Sequence, residues 1–174
     1  MIILDDLRAI CTHTKQAQLA LFVQPLNQAM REFEIDENVA RETHFLAQVA
    51  HESGGFQYVR EIASGAAYEG RSDLGNTEQG DGEKFRGRGL VQITGRANYA
   101  RCGAALGLDL LDSPELLEIP ANAARSAGWF WRTHGCNALA DLGDARAITK
   151  RINGGLRGLE NRLMYLALAQ ERFA

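Results

Sequence analysis

The segment "FLAQVAHESGGF" (Phe45–Phe56) ends a stretch that the sequence predicts to be a buried helix. Asp36 or Asn38 can cap this helix, and apolar residues then recur at helical spacing. The glycine pair Gly54–Gly55 ends it. Glu52 therefore lies at the end of an apolar helix, where a carboxylate is costly to bury. A carboxylate in such a position is either a solvent-exposed residue without a special role or an active-site acid.

The rest of the chain predicts further helices and little sheet. Helical patterns cover residues 4–11, 25–33, 120–134 and 159–173, and two more helices are expected to begin at Ser113 and after Asp144. Residues 54–89 are rich in glycine and show no periodicity, which is typical of a functional or a surface loop. "GLVQIT" (residues 89–94) is a short β-like run. We expect one mainly α-helical domain over residues 1–174, with at most a small β-hairpin.

Composition and charge exclude several classes of function. The 174 residues, 45% of them hydrophobic, fit one domain with a packed core. The net charge of -3 gives no overall attraction to nucleic acid, and no apolar stretch is long enough for a transmembrane helix. The start "MIILDDLRAI" lacks the regions of a signal peptide, so synthesis in the cytoplasm is expected. The spacing of Cys11, Cys102 and Cys136 predicts free thiols.

Motifs for metal, nucleophile and nucleotide chemistry are missing. His51 would need a second histidine four residues later to bind zinc, and that position is Gly55. No cysteine or serine lies in a nucleophile motif, and no phosphate-binding glycine loop is present. Paired carboxylates are the remaining candidates for catalytic groups. Glycoside hydrolysis needs one carboxylic acid to protonate the leaving oxygen and one carboxylate to activate water or attack the sugar.

Glu52 and Glu61 are the candidate pair. Glu52 has apolar neighbours, and Glu61 follows nine residues later in a polar loop. Two carboxyls in such unlike environments suit the roles of acid and base. Taken one at a time, Glu61 and the later acids Glu69, Glu78 and Glu83 are better explained as ordinary loop residues.

Four blocks of sequence, in order, resemble glycoside hydrolase family 19, the chitinase-like family that includes many phage endolysins. "FLAQVAHESGGF" is similar to the catalytic-acid segment, and residues 61–99 are similar to the next segment of short phage and bacterial members. "ITKRINGG" (148–155) and "ENRLMY" (160–165) match two later blocks. The resemblance covers roughly residues 25–173. It implies a lysozyme-like domain with a deep cleft that uses no cofactor and no metal.

The resemblance also implies roles for individual residues. Glu52 would be the general acid, Glu61 the general base, and Thr94 would help to hold the attacking water. Arg162 would position the base by charge-assisted hydrogen bonds. Four residues would line the sugar cleft: Gln92, Asn98, Tyr99 and Asn153. Two more, His51 and Tyr68, would support the site or contact sugar.

Some features leave alternatives open. Trp129 and Trp131 are either sugar platforms or, as is more common for tryptophans on a helix, core residues. A basic run is either a solvated face or a surface for an anionic cell wall; its members are Arg86, Arg88, Arg96 and Arg101. Arg157 replaces a carboxylate of plant chitinases, and the short gap between the two acids places the chain nearer the endolysins.

The sequence therefore predicts an endolysin that hydrolyses β-1,4 bonds of peptidoglycan glycan strands with inversion. It would act as a monomer on the cell wall after holin-dependent release, without a separate wall-binding domain, a nucleic-acid partner or stable membrane insertion. The alternatives are a chitinase acting on chitin oligomers, a lytic transglycosylase, which needs only one acid, and a non-catalytic wall-binding homologue.

Overall fold

The computed structural model describes residues 1–174 and consists mainly of α-helices. The helices are α1 (Leu4–Ile10), α2 (Gln16–Glu32), α3 (Val39–Glu52), α4 (Asp81–Lys84), α5 (Arg96–Leu106), α6 (Pro120–Thr133), α7 (Cys136–Asp141), α8 (Ala145–Asn153) and α9 (Leu159–Phe173). Short 3₁₀ helices cover Ala66–Tyr68, Ser72–Leu74 and Pro114–Glu118. The predicted mainly α-helical class is confirmed. None of these helices has both the length and the apolar character needed to cross a membrane.

Helix α3 is the central element, and its residues 43–50 are buried on every side. The Asn38 side chain accepts a hydrogen bond of 2.9 Å from the Arg41 N–H, which fixes the start of the helix as a cap does. Gly54 and Gly55 both have positive φ, so the helix ends as predicted. Helices α7 and α9 pack directly on α3. Glu52 therefore has a rigid base in the last turn of a well-packed helix.

Two apolar clusters divide the molecule into a larger and a smaller part. The larger cluster joins α1, α2, α3, α6 and the C-terminal helices. The smaller one is formed within residues 85–117, and its buried members are Phe85, Ile93, Tyr99, Cys102, Leu106, Leu110 and Leu117. Val91 packs against both clusters. The boundary between the two clusters is where the candidate site lies.

Three details of the predicted elements were wrong. Helix α2 begins at Gln16 and runs through Pro25, because a buried apolar face from Leu19 to Met30 outweighs the roughly 3 kcal/mol cost of an internal proline. Helices α5 and α7 were not predicted. "GLVQIT" forms no strand, and its only ladder contact is an isolated bridge between Ile93 and Arg88.

The loop that carries Glu61 is held by backbone pairing. The Glu61 N–H donates to the Gly87 carbonyl at 2.9 Å, and the Gly89 N–H donates to the Val59 carbonyl at 2.9 Å. Arg88 and Ile93 exchange two hydrogen bonds, at 3.1 and 2.8 Å. This hairpin-like turn places the segment that ends at Glu61 beside residues 87–94.

The three cysteines are free and buried, and burial raises the pKa of each thiol to about 12. Since the thiolate is the reactive form, we expect an aromatic disulfide reagent at about pH 8 to label no thiol in the folded protein and all three after denaturation. Activity and melting temperature should not change with dithiothreitol. Labelling of the native protein, or a lower melting temperature in reductant, would contradict this assignment.

Candidate active site

A cleft of about 500 Å³ is lined by residues that belong to or pack against both apolar clusters. Its lining comes from helices α3, α5, α6 and α8, from the 3₁₀ helix Ser72–Leu74 and from the hairpin-like turn. The lining residues are Glu52, Leu74, Val91, Gln92, Ile93, Thr94, Asn98, Arg101, Trp129, Phe130, Thr133, His134, Ile152 and Asn153. A larger, more open hollow of about 620 Å³ lies beside α1, but its one carboxylate, Asp5, is paired with Arg8. The cleft is the candidate active site, because it brings together five of the predicted residues: Glu52, Gln92, Thr94, Asn98 and Asn153.

The carboxylate of Glu52 is held from behind by Arg162 of α9. This arginine is only 2% exposed, and its guanidinium donates to both Glu52 and Gln48. Gln48 is buried one turn earlier on α3, so both acceptors lie on the same face of the helix. The Glu52 side chain keeps 20% of its surface exposed, towards the cleft that it lines. The geometry suits a group that acts on a ligand at one end and is fixed at the other.

The partner of Arg162 differs from the sequence-based expectation. Arg162 was predicted to position Glu61, and in the structure it contacts Glu52 instead. The reason is the packing of α9 on α3, which directs the guanidinium to the face of α3. His51 also lies behind the site: its Nδ1 is 2.7 Å from Oδ1 of Asn161, and it is not part of the cleft lining.

Glu61 is half-buried beside the cleft. Its Oε1 accepts a hydrogen bond of 2.9 Å from the Tyr68 hydroxyl, and its Oε2 accepts one of 3.1 Å from the Gly87 N–H. A Cβ at residue 87 would lie 2.6 Å from Oε1 of Gln92 and 3.2 Å from Oε2 of Glu61. Glu61 is not itself in the cleft lining, but its carboxylate lies next to Gln92, which is, across a glycine that leaves room for both side chains.

Tyr68 is predicted to contribute to activity through the hydrogen bond that its hydroxyl donates to Glu61. Burial, and then the hydrogen bond to Glu61, raise the pKa of Tyr68, so the hydroxyl stays a neutral donor at physiological pH. We expect Tyr68→Phe to lower kcat about 10- to 150-fold, which corresponds to the roughly 1.5–3 kcal/mol of one hydrogen bond to a charged group. Steady-state rates compared with those of Tyr58→Phe, an exposed tyrosine outside the cleft lining, check this. Equal rates for both variants would remove Tyr68 from the site.

Three polar cleft residues form a chain of side chain to backbone hydrogen bonds. Gln92 donates to the Gly89 carbonyl at 3.1 Å, Thr94 donates to the Gln92 carbonyl at 2.9 Å, and Asn98 donates to the Thr94 carbonyl at 2.7 Å. Gln92 also has a φ of 55°, a conformation that costs a non-glycine residue about 1 kcal/mol or more. Strain of this kind is typical of residues whose side chains must be aimed at a ligand.

Tyr99 was wrongly predicted to line the cleft. Its side chain is fully buried in the smaller cluster. Its hydroxyl donates to the Arg86 carbonyl at 2.6 Å and accepts from Nη1 of Arg88 at 3.1 Å, and burial raises its pKa to about 12. Tyr99 supports the hairpin-like turn from inside the lobe.

The two tryptophans of α6 have different roles. Trp131 is in the core, edge-on to Phe45 with ring centres 5.4 Å apart, and its Nε1 donates to Asn137. Trp129 lines the cleft, as do Phe130 and His134, whose rings stack 3.8 Å apart. Phe130 and His134 were not predicted as site residues, and for Trp129 the sequence left open a sugar platform or a core residue. A spacing of two on a helix separates side chains by about 200°, so the sequence already indicated that the two tryptophans face different sides.

No group of three or more His, Cys, Asp or Glu side chains is arranged to hold a metal ion. The cleft itself presents carboxyl, amide, hydroxyl and aromatic groups. Glu52 and Glu61 approach it from different elements, α3 and the loop that pairs with residue 87. Two carboxyls, a hydroxyl and an aromatic wall are the components used to cleave a glycosidic bond.

Comparison with known proteins agrees with this interpretation. Residues 29–141 match the family model of glycoside hydrolase family 19, described as chitinase class I. A glycosyl hydrolase family 19 domain-containing protein of Haemophilus influenzae is 35% identical over 166 residues, 75% of this chain and 80% of that protein. An endochitinase of Arabidopsis thaliana is 40% identical over 111 residues. That match covers 63% of this chain but only 38% of the plant protein.

Solved structures show the same fold. Chitinase C from Streptomyces griseus superposes with a TM-score of 0.79 at 21% identity, over 98% of this chain and 76% of that one. A bacterial family 19 chitinase gives a TM-score of 0.79 at 23% identity, over 98% of this chain and 94% of that one. The predicted lysozyme-like architecture with one cleft is confirmed at the level of fold.

Proposed function

Because the chain belongs to glycoside hydrolase family 19, we propose that it cleaves β-1,4 glycosidic bonds of bacterial peptidoglycan, as the endolysin of a phage or prophage. The observation that carries the chemistry is Glu52, held by buried Arg162 and exposed to a cleft that Glu61 approaches from the other side of Gly87. The choice of peptidoglycan is supported by the short connection between the two acids and by the free cysteines, features of the short phage members that the sequence resembles.

The proposed reaction is a single displacement with inversion. Glu52 gives its proton to the oxygen of the departing sugar, and Glu61 takes a proton from the water that attacks the anomeric carbon from the opposite face. Thr94 lines the cleft, and its hydroxyl oxygen can accept a hydrogen bond from that water while it donates to the Gln92 carbonyl. Trp129 offers an apolar surface on which a sugar ring can stack.

A chitinase acting on chitin oligomers is the second candidate. The relatives described as endochitinases favour it, and a neutral N-acetylglucosamine chain fits a lining rich in amides and aromatic rings. For the endolysin, the proposal includes its route to the substrate. The protein is made in the cytoplasm, is released with the help of a holin, and acts on the cell wall as a monomer.

Mass analysis of digested glycans tests the proposal. Purified peptidoglycan and chitohexaose are incubated in parallel with the protein, and the fragments are weighed. Muropeptides with ordinary reducing ends support the proposed function. Anhydro-muramic ends would show a transglycosylase, cleavage of chitohexaose alone would show a chitinase, and no product from folded protein would show a non-catalytic homologue.

A further inference from the structure

The four arginines of the basic run have different environments. Arg88 and Arg96 each form ion pairs with carboxylates of their own part of the molecule. Arg86 forms no ion pair and does not line the cleft. Arg101, on the exposed side of α5, is the only one of the four in the cleft lining. The run is therefore not one continuous cationic face.

Arg101 brings an uncompensated positive charge into the cleft wall. No carboxylate lies within ion-pair distance of its guanidinium, and its one side-chain partner is the neutral Oδ1 of Asn98. The only carboxylate in the lining is Glu52, which is already paired with Arg162. A ligand carboxylate that reaches this wall would meet a guanidinium that has free donors and no competing anion.

We propose that Arg101 is a specificity-determining residue that binds a carboxylate of an acidic glycan. This inference rests on the proposed function, because chitin carries no carboxylate whereas peptidoglycan does. The carboxylate has two sources, the stem peptide of intact peptidoglycan and the lactyl group that is freed when an amidase removes the peptide. A guanidinium can hold either one through two parallel charge-assisted hydrogen bonds.

The test compares Arg101→Gln with Arg146→Gln, which removes an exposed arginine of α8 that has no ion pair and lies outside the cleft lining. Rates are measured on intact peptidoglycan, amidase-stripped glycan strands and chitohexaose. We expect the ratio of kcat/KM for peptidoglycan to that for chitohexaose to fall about tenfold in Arg101→Gln, mainly through KM, and to stay constant in Arg146→Gln. The ratio in Arg101→Lys should lie between those of Arg101→Gln and Arg146→Gln, since lysine keeps the positive charge but lacks the paired N–H donors of the guanidinium.

The three substrates also distinguish the stem-peptide carboxylate from the lactyl carboxylate, and the role of Arg101 from the proposed function. A fall on stripped strands identifies the lactyl carboxylate, and a fall on intact peptidoglycan alone identifies the stem peptide. A wild-type protein that cleaves peptidoglycan, with an unchanged ratio in folded Arg101→Gln, overturns this inference and leaves the proposed function in place. A wild-type protein that does not act on peptidoglycan overturns both.

Discussion

Replacing Glu52 by glutamine is expected to lower kcat by about 10²–10⁴-fold, the range that a positioned general acid contributes. The amide keeps the shape of the side chain and an oxygen that can accept from Arg162, but it has no acidic proton to give to the leaving sugar. The measurement is the rate of reducing-end release from peptidoglycan and from chitohexaose. Both should fall together, because proton donation to the leaving group does not depend on the identity of the glycan.

A matched control separates catalysis from folding. Glu83→Gln changes an exposed acid of α4 in the same way and should keep the wild-type rate. Glu52→Gln keeps an oxygen that accepts from the buried Arg162 guanidinium, so the protein should remain folded. A near wild-type rate in folded Glu52→Gln would remove Glu52 from the mechanism, whatever its effect on stability.

The position of Glu52 was predictable because its causes are local. A cap at Asn38, apolar residues at helical spacing and a glycine pair define α3, and each acts over a few residues. The same holds for α8, which begins after the cap Asp144 as expected. Elements whose ends carry such signals are determined by short-range sterics and hydrogen bonds, and sequence alone shows them.

The environment of each site residue was less predictable, because it depends on contacts between distant segments. Arg162 meets Glu52 rather than Glu61 because of how α9 packs on α3, 110 residues apart in sequence. Tyr99 adjoins Asn98, which lines the cleft, yet it points into the smaller apolar cluster. No local pattern distinguishes a polar aromatic side chain that lines a cleft from one that supports it from inside.

Removing the carboxylate of Glu61 is expected to cost about as much as removing that of Glu52. Water is a weak nucleophile, so the attack needs a base to accept its proton. Glu61→Ala should therefore lose about 10²–10⁴-fold in kcat, measured on peptidoglycan and on chitohexaose. Thr94→Val should lose less, about 2- to 10-fold, because it removes a single hydrogen bond to the water.

Azide distinguishes a missing base from a damaged site. It is already an anion and attacks without losing a proton, so it should restore bond cleavage in Glu61→Ala and give a glycosyl azide. It should not rescue Glu52→Gln, where the leaving oxygen still lacks its proton. An azide product of α configuration from a β-linked glycan would mean attack from the face opposite the leaving group, as an inverting pair requires.

Digestion in labelled water decides between hydrolysis and transglycosylation. A transglycosylase uses a hydroxyl of the sugar itself as the nucleophile, and neither a second carboxylate nor a group that holds water is needed. Glu61 has two donors directed at its carboxylate, from Tyr68 and Gly87, and it lies beside Gln92 at the cleft. A transglycosylase would not need a carboxylate held in this way, because it has no water to activate. We therefore expect wild-type digestion in ¹⁸O-labelled water to give labelled reducing ends. Unlabelled anhydro-muramic ends, with full activity in Glu61→Ala, would overturn the two-carboxylate mechanism even if Glu52 proved essential.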